Sequence, residues 1–260
     1  MKNPLRKRLL RELRQEMGKY LVVFILMVAT IGFVSGFLVA DGSMLTAYDN
    51  SFEKYNIEDG NFATEEKVYK NQQETIEGYG VKLYENFYVE KALSNGSTLR
   101  IFKNREEVNK VCLMKGKMPK EIGEIAIDRM YADNKLSVGD TLKSGKKTWK
   151  ITGLVALSDY SALFQNNNDT MFDAIKFGVG IVTKEEFSSF NESQLTYDYA
   201  WKYNKKPKNE KEEKKRSEDF MEDIGKDITL ESFIPQYVNQ AIHFTGDDMG
   251  SDEAMIIVLL

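Results

Sequence analysis

The sequence predicts an α+β protein: an N-terminal amphipathic helix and a transmembrane helix, then a mixed α/β extracytoplasmic domain. Three observations predict it. Residues 20–40 hold no charged side chain. Basic residues crowd before that stretch, and acidic ones predominate after it. Past residue 60, strand-like runs alternate with turns rich in Gly and Asn.

The stretch 20–40, YLVVFILMVATIGFVSGFLVA, is apolar on every face. As a helix it would be roughly 30 Å long, the thickness of a bilayer's hydrocarbon core. Thirteen of its side chains are Leu, Ile, Val or Phe, which favours insertion by about 4–8 kcal/mol as an upper bound. It is longer than the roughly 7–15 apolar residues of a secretory signal. Leu38-Val39-Ala40 also puts a large residue where a signal cleavage site prefers a small one. It therefore reads as an uncut anchor. Within it Gly32, Ser35 and Gly36 form a small-residue face of GxxxG type, where a second helix could pack closely.

Seven basic residues (Lys2, Arg6, Lys7, Arg8, Arg11, Arg14, Lys19) precede the span against only Glu12 and Glu16. Basic flanks stay on the cytoplasmic side, so the N-terminus is expected inside the cell membrane and the main domain outside. Asn3 can cap a helix that Pro4 begins. Leu5, Leu9, Leu13 and Met17 then recur on one face among the basic residues. Residues 1–19 thus read as a cytoplasmic amphipathic helix lying on the inner headgroups.

The chain after the span is acidic, which argues against nucleic acid as a partner. Cys112 is the only cysteine, so no intrachain disulfide can form. The exterior part must then rely on a hydrophobic core, for which its length suffices. His243 is the only histidine, which excludes a His-rich metal site, and it reads as a surface residue. Asp247-Asp248 and Asp252-Glu253 do not have EF-hand spacing, and no GxxxxGK[ST] phosphate loop is present. No catalytic, cofactor-binding or metal residue is assigned, and no cofactor is expected. The chain is not read as an enzyme.

Along the chain, the anchor helix should continue as a stalk from Asp41 to about Tyr55 and end at Glu58-Asp59-Gly60. A strand at 61–64 and a polar helix at 65–77 follow. Runs at 81–94 and 97–103 flank Asn95-Gly96, a hairpin signal. Residues 105–110 suggest a turn of helix. Strands are expected at 124–127, 141–142 and 148–155, with Asp128 capping a helical turn and tight turns at Val138-Gly139-Asp140 and Ser144-Gly145. Residues 157–173 read as a polar loop and 175–183 as a core strand. Tyr197, Tyr199, Trp201 and Tyr203 alternate as one aromatic face of a strand, which core packing explains better than a ligand platform. A solvent-facing helix with Glu210–Lys214 and Glu212–Arg216 pairs, a strand at 228–237 and an acidic link at 245–252 complete the domain.

The ordered set Lys115-Gly116-Lys117-Met118-Pro119, Glu124-Ile125-Ala126-Ile127, Lys135-Leu136-Ser137-Val138-Gly139-Asp140 and Trp149-Lys150-Ile151-Thr152-Gly153-Leu154-Val155 resembles the extracytoplasmic core domain of FtsX-like and MacB-like ABC transporter permeases. The resemblance implies a MacB-type periplasmic core within a permease subunit. It also implies a separate cytoplasmic ABC ATPase subunit as partner, where ATP hydrolysis would occur. Membrane partners would be the lipid bilayer and a second permease copy or half. The implied function is coupling of that ATPase to the exterior domain for export, extraction or mechanical signalling. The expected map is 1–19 amphipathic helix, 20–40 transmembrane helix, 41–253 extracytoplasmic core with its stalk, and 254–260 the start of a second, truncated transmembrane helix. The competing reading is a single-pass, membrane-anchored binding or receptor domain without transport.

Overall fold

A computed structural model describes residues 14–259, with side chains described up to residue 251. The amphipathic pattern at 1–19 therefore lies largely outside the described residues. Two compact units emerge, one formed by residues 1–47 with 248–260 and the other by Tyr48–Asp247.

In the first unit, helix α1 (Met17–Lys54, 38 residues) carries the uncharged stretch. It is long and apolar enough to cross a membrane. Its apolar side chains from Tyr20 to Val28 are all more than half exposed, as a lipid-facing surface requires. The last helix, α5 (Gln240–Leu259), contributes its second half to this unit. The acidic link expected at 245–252 is thus helical throughout. Its polar residues and Gly246 and Gly250 contribute no turn, and the helix runs on into the apolar residues that follow.

The second unit is a mixed sheet with helices packed against it. Its strands are β1 (Gly60–Thr64), β2 (Val81–Glu85), β3 (Tyr88–Ala92), β4 (Thr98–Lys103), β5 (Cys112–Gly116), β6 (Glu124–Asp128), β7 (Thr141–Ser144), β8 (Lys147–Ala156), β9 (Phe177–Val182), β10 (Leu195–Tyr203) and β11 (Leu230–Pro235). The order is β11-β1-β10-β3-β4-β9-β6-β8-β5, with β2 also on β10 and β7 on β8. The pairs β4–β9 and β6–β8 are parallel, and the others are antiparallel. Three further helices, α2 (Lys70–Gly78), α3 (Lys184–Ser188) and α4 (Glu210–Ile224), lie between strands in sequence.

Local chemistry explains most of these elements. The hairpin β3–β4 turns at Asn95-Gly96, where Gly96 adopts φ 85° and Asn95 Oδ1 accepts the Ser97 N–H. The longer run expected at 81–94 is cut in two at Asn86-Phe87. β2 pairs only with β10, whereas β3 pairs with β4 and the first residues of β10. Thr183 caps α3 by accepting the Glu186 N–H, and Asn209 caps α4 by accepting the Glu212 N–H. The helical turn expected at 105–110 is absent, because Arg105, Val108 and Asn109 are all buried and Asn109 sits at φ 49°. Asp128 accepts the Met130 N–H at 2.8 Å before a 3₁₀ turn (Tyr131–Asn134).

The helix α4 is not wholly solvent-facing, since it buries Ser217, Phe220 and Ile224 against the sheet. Nor does the Glu212–Arg216 pair form as expected. Arg216 instead lies over the Tyr203 ring and donates to the Lys205 carbonyl, while Glu212 accepts the Lys208 N–H. The aromatic face of β10 is core. Tyr199 and Trp201 stack with Phe62 of β1, and Trp201 stacks with Phe233 of β11 at 4.8 Å. At the other end of the sheet, buried Trp149 donates to Glu186, whose fully buried carboxylate also receives Lys147 at 2.7 Å and the Gly123 N–H. Burial alone would raise the Glu186 carboxyl. These donors hold it below its ordinary value.

The sheet admits no side chain at Gly178 of β9, because a Cβ there would run into the buried Tyr131 ring. Gly78, at the end of α2, has open space around it. Gly178→Ala should therefore cost about 1–3 kcal/mol in urea unfolding. Gly78→Ala should be neutral or slightly stabilising in the same experiment.

Candidate functional site

The alternation of β10 makes the site. Tyr197, Tyr199, Trp201 and Tyr203 point to one face, so Asp198 and Ala200 point to the other. On β1, Asn61 and Ala63 share that second face, opposite Ala200 and Asp198 in register. Ala63 lies opposite Asp198 and Ala200 opposite Asn61, and the two small side chains leave room. A cavity of about 490 Å³ opens there, its walls completed by β11, by Tyr88 of β3 and Arg100 of β4, and by the segment from Asp159 to Asn168. The start of α5 contributes Asn239 and Ala241.

The cavity wall is polar and acidic. Glu58 is buried, and its two oxygens accept from Asn61 at 2.5 Å and from Asn109 at 2.6 Å. Asn109 also accepts the Glu58 N–H, which explains why the segment 105–110 is drawn inward rather than helical. Asp198 Oδ2 accepts from Asn86 at 2.8 Å. Behind them Arg105 donates two hydrogen bonds to Asp159, at 2.5 and 3.1 Å, with both side chains 4% exposed. Arg100 is bound to Glu90, to the Tyr160 hydroxyl and to the Gln165 carbonyl.

Burial raises the Glu58 carboxyl to about 7, and the charge of Asp159 adds to the effect. Burial, and then the charge of Glu58, raise Asp198 well above its ordinary value. Asn86, Arg100 and Arg105 oppose that rise without cancelling it. Both shifts favour the protonated acids, and that of Glu58 brings its titration into the neutral range. Such a pair can take up or release a proton, and can accept hydrogen bonds from a ligand.

The residues predicted from sequence lie elsewhere. Gly32, Ser35 and Gly36 sit on the exposed surface of α1, with no atom within 4 Å of a Cβ built at either glycine. His243 is not a simple surface residue. It is half-buried, its ring stacks on Phe52 at 6.0 Å, and its Nε2 has no partner among the described residues. No group of three or more His, Cys, Asp or Glu that could hold a metal occurs among the described residues. The sequence reading missed Glu58, Asp198, Asn109 and the Arg105–Asp159 pair. The one signal for Asp198 was its place between tyrosines in a strand already expected to be buried on its aromatic side.

No family model matches the chain, and no curated protein matches it. Solved structures similar to it include two bacterial transporter domains. One is the extracellular domain of the noncanonic ABC-type transporter YknZ from Gram-positive bacteria, at 10% identity and a TM-score of 0.35, covering 65% of this chain and 92% of that one. The other is the periplasmic region of MacB from Actinobacillus actinomycetemcomitans, at 11% identity and a TM-score of 0.36, covering 64% and 83% respectively.

The buried acids set a pH dependence. Glu58 binds its proton more tightly in the folded domain than in the unfolded chain, where its value is near 4.5. Asp198 and Asp128 shift the same way. Stability should be greatest below about pH 4.5 as far as these groups are concerned, and should fall as pH rises through about 7, by on the order of 3 kcal/mol for Glu58 alone. Urea midpoints measured from about pH 5 to 8 should show the fall, and Glu58→Gln should flatten it. Arg105→Met leaves Asp159 buried without its cation, and should cost about 3–5 kcal/mol in the same assay.

Proposed function

We propose that the chain belongs to a permease subunit of an ABC transporter of the FtsX/MacB type, lying in the cell membrane with its N-terminus in the cytoplasm and its main domain outside. A separate cytoplasmic ABC ATPase would drive it, and the exterior domain would use that movement for export, extraction or mechanical signalling. The resemblance in residues 115–155 supports this reading, as do the basic residues before the span.

The observation that carries it is the fastening of the two helices on which the domain is mounted. The Tyr48 hydroxyl of α1 donates to the Ile242 carbonyl of α5 at 2.8 Å. Phe52 packs edge-on against Tyr48 and stacks with His243. Gly246 leaves space for the Tyr48 ring, which a Cβ there would strike. A receptor with one anchor has no use for a second helix fastened in this way. A paired entry and exit suits a domain moved by its membrane helices. Gly32, Ser35 and Gly36 would then face a further helix, from a second permease copy or half.

The test is affinity purification of the natural full-length protein from its own membrane. An ABC ATPase should co-purify in stoichiometric amount with measurable ATP hydrolysis. Gly246→Leu should leave both proteins associated while reducing transport-linked hydrolysis several-fold. A full-length protein that purifies alone, with no ATPase at any detergent condition, would sink the transporter reading.

A further inference from the structure

The cavity beside β10 contains more acid than it can neutralise. Of the nearby cations, Arg105, behind the wall, is committed to Asp159, and Arg100, in the wall, to Glu90. Glu58 and Asp198 have no cation of their own and are met only by the side-chain amides of Asn61, Asn109 and Asn86. Glu231 adds a further carboxylate to the lining. Asp198 is 7% exposed, and among the described residues no hydrogen bond is made to its Oδ1. One oxygen of a nine-tenths-buried acid is therefore left for something that enters the cavity.

The walls also indicate what enters. Phe164 and Ile234 line the same space, which suits an organic group better than a hydrated metal ion. The described residues offer no metal-ligating cluster. We propose that this cavity is a binding site for an organic ammonium group, such as the end of a lysine side chain, seated between Glu58 and Asp198. The ammonium would donate to Asp198 Oδ1 and supply the positive charge that the two acids lack. The site belongs to the exterior domain alone. It goes beyond the transport reading and holds whether or not that reading does.

Binding of a cation favours the ionised form of both acids, so it must release protons near neutral pH. That signature separates the site from a cation held loosely at an acidic surface. The experiment is isothermal titration of the full chain in detergent micelles with Nα-acetyl-lysine amide. The control is Nα-acetyl-norleucine amide, which keeps the aliphatic stem but carries no charge. The charged compound should bind with a Kd of about 1 mM or tighter. Its heat should differ between phosphate and Tris buffers, and it should bind about tenfold more weakly at pH 6 than at pH 8.

Asp198→Asn and Glu58→Gln should each reduce the buffer dependence, the double variant abolish it, and each single change weaken binding at least tenfold, while thermal unfolding stays unchanged or moves upward. Ala63→Leu, which fills the cavity and keeps both acids, should also block binding. The proposal is overturned if the neutral compound binds equally well, if neither compound binds, or if folded Asp198→Asn and Ala63→Leu proteins bind as the natural chain does.

Discussion

The sheet domain is organised on β10, a strand hydrogen-bonded along both edges and packed on both faces. β1 runs along one edge, while β2 and β3 share the other. Its aromatic face closes over Phe62, Phe220 and Phe233. Burying a Trp of this kind removes some 150–250 Å² from water, worth roughly 4–6 kcal/mol as an upper bound. The chain arriving from α1 is fastened to the same strand. Asp59 accepts from Lys202 and from the Tyr203 N–H, each at 2.7 Å, and donates its own N–H to the Trp201 carbonyl. The entry to the domain is therefore registered on its most deeply buried strand.

That arrangement has a cost on the opposite face. A strand paired on both edges cannot turn Asp198 out to solvent, because a shift of one residue would expose Trp201 and bury Lys202. The acid must be accommodated where the alternation puts it. Asn86 meets it with a side chain and with its own N–H, which donates to the Asp198 carbonyl. Arg105 lies behind, also packing its guanidinium on the Phe102 ring at 4.9 Å. Buried ion pairs of this sort contribute little net stability against apolar replacements, yet losing one partner is expensive. The network therefore constrains which residues the cavity can hold more than it strengthens the fold.

This division also explains what could be read from the sequence. The uncharged span, the Asn95-Gly96 hairpin and the turns at Gly139 and Gly145 depend on neighbours in the chain, and they lie where the pattern puts them. The aromatic face of β10 was legible because its period is local. Asp159 lies 54 residues from Arg105, and Asn109 lies 51 from Glu58. No local pattern joins such partners, so residues 105–110 look like a charged helical turn and residues 157–173 like a solvated loop. In the folded domain the latter segment buries Leu157, Ala162, Leu163 and Phe164. Those four apolar residues among the asparagines were the available hint, obscured by the polar composition around them.

The same segment ties the cavity to the start of α5. The Ala162 N–H donates to the Ala241 carbonyl, the Ser161 hydroxyl to that of Ile242, and Thr245 back to the Ser161 carbonyl. Asn167 accepts the Gln240 N–H and donates to the Val238 carbonyl. On the entry side, the Gln236 side chain donates to the Glu58 carbonyl, and the Gln236 N–H to that of Asp59. The first turn of α5 cannot move without stretching bonds to the very residues that wall the cavity. The converse holds equally, since any free energy that links the two must act in both directions. The state of the cavity and the position of the start of α5 can therefore bias each other.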